Sequence, residues 1–132
     1  MQKIFSILYL IRYNIKMSNG EWQINFFKNG DKSPIEDWLN DLPIGTRSKI
    51  LRHIELLKDN GPFLKEPFVK HIKNKIYELR TKDKDGIYRI LYFLYKEKTF
   101  ILLHGFVKKT DKTPGDAINI AEKRMKEIIS KA

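Results

Sequence analysis

The sequence predicts an α+β fold in which a mainly antiparallel sheet and amphipathic helices form one domain. The 132 residues suffice for one domain and are too few for two, and 42% of them are hydrophobic, which is enough for a core. Apolar residues recur with the period of a strand in four segments and with the period of a helix in three. The predicted order is β-α-α-β-β-β-α, with the helices packed on one face of the sheet.

The first strand and the first helix are predicted from alternation followed by a helix start signal. Trp22, Ile24 and Phe26 alternate with polar residues, as in a half-buried strand. After a Lys-Asn-Gly-Asp turn, Ser33 to Glu36 has the pattern of a capping box with proline at the first helical position. The apolar residues that follow lie on one side of a short helix.

A second helix and a basic loop are predicted in the middle of the chain. The helix covers 46–60 and is ended by a Gly-Pro pair. Only a short break at Pro43 and Gly45 separates it from the first helix, so we expect the two helices to form a hairpin. Residues 62–75 show no regular period and are rich in lysine, including Lys73 and Lys75. We therefore predict a basic loop over this segment.

Three strands and a last helix complete the fold. The strands are predicted over 76–82, 87–95 and 99–108, and the short turns between them indicate an antiparallel meander. Thr113 and the residues after it form a cap for the final helix.

Composition restricts the function. Lys and Arg number 26 against 16 Asp and Glu, a formal charge of +10, which favours a polyanionic partner, with nucleic acid first. The absence of cysteine excludes a disulfide scaffold, a thiolate zinc site and a thiol nucleophile. The three histidines lack ligand spacing, and the longest apolar run is too short to cross a membrane. We expect no metal, no cofactor and no membrane partner.

The start of the chain is expected to be separate from the domain. Residues 1–17 contain an apolar run without the small residues of a signal cleavage site, so an extension translated from an upstream start codon is favoured over an added helix or strand, or export. The single domain is then 18–132.

Hairpin geometry brings polar side chains together on one face of the predicted sheet. A loop of two or four residues places Arg80 and Arg89 on the same face, and the same parity at the next turn adds His104 and Lys108. The whole face contains Ile76, Glu78, Arg80, Lys82, Arg89, Leu91, Phe93, Leu102, His104, Phe106 and Lys108. Such cations interleaved with phenylalanines suit phosphate contacts and base stacking.

Structural explanations of the same residues stay open at this point. Arg80 is also explained by an ion pair with Glu78 or with an acidic residue on a helix, and His104 by hydrogen bonding inside a core. Lys108 and Lys109 are also explained as lysines that solvate the end of a strand.

Several segments resemble the phage-derived, HigB-like branch of the RelE/ParE toxin superfamily. They are PIEDWL at 34–39, IYELR at 76–80, YRILY at 88–92 and LHGFVKKT at 103–110, followed by KTP. These segments keep the order and spacing of the family over residues 22–130, although no tyrosine follows Tyr95 and Glu78 replaces a typical lysine.

The resemblance implies a RelE-like fold and the toxin of a type II toxin–antitoxin system. It further implies a cytoplasmic, metal-independent endoribonuclease that cleaves mRNA on the ribosome and is silenced by a cognate antitoxin with a helix-turn-helix domain. By motif position, Arg89 matches the central-strand arginine of the family, Arg80 the arginine of the preceding strand, and Lys108 and Lys109 the basic pair after the last strand.

Each candidate residue then receives a role in RNA cleavage. Arg80 and Arg89 would bind the non-bridging phosphate oxygens, because a guanidinium stays charged and binds bidentately. His104 would transfer the proton, with Glu78 as a second candidate base. Lys108 or Lys109 would stabilise the transition state or protonate the leaving group. The candidates for RNA and ribosome binding are Lys73, Lys75, Lys82, Phe93 and Phe106. The alternatives are a ParE-like toxin that inhibits gyrase by binding and a non-catalytic RNA-binding module.

Overall fold

The fold was obtained as a computed structural model, which describes residues 22–108 and 113–131. It is α+β, with three helices and a five-stranded, mostly antiparallel sheet. The strands and helices in chain order are β1 (Gln23–Phe26), α1 (Pro34–Asn40), α2 (Ile44–Asn60), β2 (Val69–Lys73), β3 (Ile76–Asp83), β4 (Gly86–Leu94), β5 (Thr99–Lys108) and α3 (Gly115–Ser130). The predicted extension, residues 1–17, lies outside the described residues.

The sheet has the strand order β1-β5-β4-β3-β2, in which only β1 and β5 run parallel. The predicted meander of β3, β4 and β5 is confirmed. The prediction of a basic loop throughout 62–75 is wrong, because β2 lies within it and pairs with β3. A register shift between His71 and Lys73 breaks the alternation of this strand, which removes the period-two signal from the sequence.

The register confirms the shared face and corrects one end of it. Arg80 is the partner of Arg89, and His104 is the partner of Leu91, so these side chains lie on one face as predicted. Next to His104 the ladder contains a β-bulge, after which Leu102 pairs with Tyr92. Leu102 therefore lies on the opposite face from the predicted one, because the extra residue reverses the alternation.

Helices cover both faces of the sheet, so the prediction of helices on one face only is wrong. Helices α1 and α2 cover the apolar face: His53 on α2 contacts Thr81, and Trp38 on α1 packs on Gly105. A Cβ added at Gly105 would lie 2.4 Å from a ring atom of Trp38, so only glycine fits there.

Helix α3 covers the face that carries the arginines. This face also bears Leu91 and Phe93, which have exposed fractions of 0% and 1% and need an apolar cover. Ala117 and Ala121 form the buried side of α3, and Arg124 on the same helix donates a hydrogen bond to the Leu103 carbonyl.

Neither predicted helix cap forms a capping hydrogen bond. The side chain of Ser33 makes no hydrogen bond at the start of α1. Pro114 occupies the cap position of α3, and the Thr113 hydroxyl is directed to the sheet instead. Within 22–108 and 113–131, no helix is long and apolar enough to cross a membrane.

Candidate functional site

The register arranges the candidate residues in three rows across β3, β4 and β5. We call this surface the basic face. Its rows consist of Lys82, Ile87 and Lys108, then Arg80, Arg89 and Phe106, then Glu78, Leu91 and His104. Neighbouring strands lie ~4.8 Å apart, so residues on β3 and β5 in one row are separated by roughly 10 Å of backbone.

A buried ion-pair cluster lies at the centre of the basic face. Glu78 and Arg89 have no exposed surface. Glu78 Oε2 lies 3.6 Å from an Arg89 guanidinium nitrogen, and Glu78 Oε1 lies 3.2 Å from Arg80 Nε. The Thr113 hydroxyl donates to Glu78 Oε2 at 2.5 Å and accepts from Arg89 at 3.3 Å. One carboxylate and one hydroxyl thus hold two guanidinium groups together.

This burial changes what two predicted residues can do in this conformation. Glu78 has no surface through which it could contact RNA as a base, and Arg89 has none through which it could bind a phosphate. Glu78 stands where the resemblance leads one to expect a lysine. Its carboxylate supplies the negative charge that a buried arginine requires.

The exposed cations lie around this cluster. The Arg80 side chain keeps 22% of its surface exposed, and Lys82 and Lys108 are exposed. They form the open end of the basic face. Lys109, the second member of the predicted basic pair, lies outside the described residues.

His104 and Phe106 form a half-buried aromatic pair beside these cations. Their rings stack with centroids 5.5 Å apart at an angle of 20°. Burial, with a smaller contribution from the positive charge of Arg124, lowers the pKa of His104 below its usual value. His104 is therefore neutral at pH 7 and can accept a proton.

Phe93 and Lys73, two of the residues predicted to bind RNA, contact other parts of the protein. Phe93 is 1% exposed and belongs to the core, so the prediction that it stacks on RNA is wrong for this conformation; the cover provided by α3 is the reason. Lys73 forms an exposed ion pair with Glu122 of α3 at 3.3 Å. Lys75 is exposed.

Sequence reasoning missed two residues of this region. Thr113 was assigned to a helix cap, a common role of threonine before a helix, so no signal marked its contact with Glu78. His53 on α2 contacts the backbone of Arg80 from the opposite face of the sheet. Its position in the helix pattern, among apolar residues, was the available signal.

Metal ligands are not grouped in this site. In the part of the chain that the structure describes, no three His, Asp or Glu side chains are close enough together to hold a metal ion.

One family model matches the chain. It is described as phage derived protein Gp49-like (DUF891), and it matches residues 37–126. This range includes the second half of α1, all of α2, all strands of the basic face and most of α3. No curated protein matches the chain.

Proposed function

The chain belongs to the phage-derived Gp49-like family, which lies in the RelE/ParE-like toxin clan, and from this premise we propose that it is a toxin that cleaves RNA. Some members of this clan are ribonucleases. The proposal also includes a ribosome-bound mRNA as the substrate, in the HigB-like manner that the motifs indicate, and the cytoplasm as the place of action.

One observation carries the proposal: Lys82 and Lys108 are exposed, and Arg80 is partly exposed, on the same face as His104 and Phe106. Cations that are held on one surface bind phosphates, and an aromatic ring beside them stacks on a base. A neutral imidazole in the same group provides the proton acceptor that RNA cleavage requires. Binding to a protein target does not require this combination.

The reaction needs no group beyond these side chains. The 2′-hydroxyl attacks the adjacent phosphorus, its proton passes to His104, and the bond from phosphorus to the 5′-oxygen breaks. The products are a 2′,3′-cyclic phosphate and a 5′-hydroxyl end, whose proton comes from Lys108 or Lys109. Arg80 binds the non-bridging oxygens and stabilises the charge that develops on them.

Glu78 and Arg89 are proposed as positioning residues. Glu78 Oε1 forms an ion pair with Arg80 Nε at 3.2 Å, which restricts the rotation of that guanidinium before RNA binds. Arg89 and Thr113 fix the other carboxylate oxygen of Glu78. The cost of aligning Arg80 is thus met during folding instead of during the reaction.

The strongest alternative is a ParE-like toxin that inhibits gyrase by contact. The fold and the charge suit it equally well, and the arrangement of His104 beside Arg80 and Lys108 favours RNA cleavage. A non-catalytic RNA-binding module would use the cations and leave His104 without a role.

The test is cleavage of mRNA on programmed ribosomes by the purified full chain. We expect cuts in a message with a start codon and none in the same message without one, with 5′-hydroxyl ends mapped at single-nucleotide resolution. Equal cutting of both messages would contradict ribosome dependence. No cutting, together with gyrase-linked DNA breaks in induced cells, would establish the alternative.

An antitoxin is the expected protein partner. An acidic segment laid over the exposed cations would neutralise them, so the complex should be tight and should weaken with salt. Co-expression with the product of the adjacent reading frame, expected to contain a helix-turn-helix domain, should restore growth. Unchanged toxicity would show that this product is not the antitoxin.

A further inference from the structure

β3 continues past Val69, the first residue of β2, and there its edge is contacted by side chains of α2 instead of a strand. The last backbone contact on this side is the hydrogen bond from Arg80 N to the Phe68 carbonyl, at 2.8 Å. Further along, Lys49 Nζ donates to the Lys82 carbonyl at 2.5 Å, and His53 Nδ1 donates to the Arg80 carbonyl at 3.0 Å. These bonds satisfy the edge carbonyls and leave a gap between the helix and the strand.

This gap is a cleft with a volume of about 290 Å³. We call it the edge cleft. Its apolar lining consists of Pro67, Phe68 and Ile87, and its charged lining consists of Lys49, Arg80 and Lys82. The remaining lining residue is His53. Its size matches a group of a few heavy atoms, such as a phosphate with part of its sugar, more closely than a large ligand.

The electrostatics of the edge cleft favour an anion. The described lining contains three permanent cations and no carboxylate. Lys49 and Lys82 have no carboxylate partner among the described residues. Burial lowers the pKa of His53, to which the charges of Lys49 and Arg52 contribute, so this histidine adds no charge at pH 7. The nearby carboxylate of Asp83 lies outside the lining and accepts a hydrogen bond from Thr46.

The edge cleft is continuous with the basic face. Lys82 and Ile87 line the cleft and also form the first row of that face. Arg80 lines the cleft and also contacts Glu78 in the ion-pair cluster. An anion in the cleft therefore lies next to the position proposed for the cleaved phosphate.

We propose that the edge cleft is a phosphate subsite that binds a phosphodiester of single-stranded RNA adjacent to the cleaved one. The inference rests on the proposed function and deepens it. The continuity of the cleft with the basic face is the reason for assigning an RNA strand instead of a separate small anion. Lys49 provides the contact that is unique to this subsite, and His53 positions the backbone of Arg80 below it.

Binding of an uncleavable RNA tests the subsite. The full chain, made by cell-free synthesis, is titrated with a labelled 12-nucleotide RNA that carries 2′-O-methyl groups. Lys49→Gln should weaken binding about tenfold or more, as expected for one charge-assisted phosphate contact. It should also reduce the slope of log Kd against log salt by about 0.7, the value for one contact to a single strand. Lys82→Gln should do the same.

The matched control is Lys58→Gln, which removes an equal charge from the same helix outside the cleft. It should leave the affinity and the salt slope unchanged, and thermal unfolding should show that all three variants are folded. If Lys49→Gln and Lys58→Gln bind RNA alike, the subsite is wrong. If adenosine monophosphate displaces the RNA at a similar concentration, the cleft binds a free nucleotide and the strand assignment is overturned.

Cleavage assays separate this inference from the proposed function. In single-turnover reactions, Lys49→Gln should raise the half-saturating substrate concentration and leave the maximal rate unchanged. If the wild-type protein cleaves RNA and the Lys49→Gln and Lys58→Gln variants have the same half-saturating substrate concentration, the subsite is wrong and the proposed function stands. If the wild-type protein does not cleave RNA but Lys49→Gln still weakens RNA binding, the proposed reaction is wrong and the subsite is supported.

Discussion

Arg80 and Arg89 face each other across β3 and β4 and carry the same functional group, yet only Arg80 reaches solvent. Both contact Glu78, Arg80 at 3.2 Å and Arg89 at 3.6 Å. Their exposure differs because Thr113 and α3 lie over Arg89, whereas Arg80 lies at the open end of the basic face. One sheet face is thus divided into a buried part that fixes geometry and an open part that can meet a ligand.

The cost of burial explains why the two parts depend on each other. A guanidinium with no exposed surface is tolerated only when a carboxylate and further hydrogen bonds compensate the lost hydration. Glu78 provides the carboxylate, and through its second oxygen it reaches Arg80. The buried arginine therefore indirectly determines the orientation of the exposed one.

The largest effect is expected from removal of the buried arginine. Arg89→Met should lower the free energy of unfolding by about 3–5 kcal/mol, because Glu78 loses a partner in a site that water cannot reach. Arg80→Met should cost less than half as much, since its side chain is partly solvated. Urea unfolding followed by circular dichroism measures both.

A double variant sharpens this test. Arg89→Met combined with Glu78→Leu replaces the ion pair by apolar side chains of similar size and should recover most of the lost stability. If the double variant is less stable than Arg89→Met alone, the two residues do not act as a pair.

Removal of the exposed arginine should affect cleavage more than stability. Arg80→Gln should reduce the single-turnover rate on programmed ribosomes by about 10²- to 10³-fold, the usual cost of losing one preorganised charge at a transition state. The control is Lys126→Ala, on the exposed side of α3, which should cleave at the wild-type rate. A normal rate for Arg80→Gln would remove this residue from the site.

The sequence predicted the meander and the shared face of Arg80, Arg89 and His104 because both depend on alternation and turn length. It did not predict the burial of Arg89, because burial depends on where α3 packs, and no local pattern contains that information. The same holds for Phe93, which looks like an exposed stacking ring in its own strand. Strand β2 was missed because its register shift interrupts the alternation.

The two half-buried histidines, His53 and His104, should make stability depend on pH. Burial lowers the pKa of His53 and His104 below 6.5, so the unfolded chain binds their protons at higher pH than the folded chain does. Well above pH 6.5 both are neutral in the folded and the unfolded chain, and their contribution to stability does not change with pH. As the pH falls below 6.5, stability is lost by at most about 1.4 kcal/mol per pH unit for each histidine.

Single substitutions show which residues cause this loss of stability at low pH. Urea unfolding at pH 7.5 and 5.5 should show a smaller difference for His53→Gln and for His104→Gln than for the wild type. Asn119→Ala, which changes an exposed uncharged residue of α3, should show the wild-type difference. An equal difference in all four proteins would mean that other groups cause the pH dependence.

The smallest effect is expected where α3 contacts the edge of the sheet through an exposed pair. Lys73 and Glu122 lie 3.3 Å apart, with 54% and 21% of their side-chain surface exposed, so water screens their attraction. A double-mutant cycle with Lys73→Gln and Glu122→Gln should give a coupling below about 1 kcal/mol that disappears in 1 M salt. Because α3 is the cover of Arg89, a coupling well above this value, unaffected by salt, would show that the exposed pair also holds the cover in place. The division of the face into a buried and an open part would then depend on Lys73 as well as on the packing of α3.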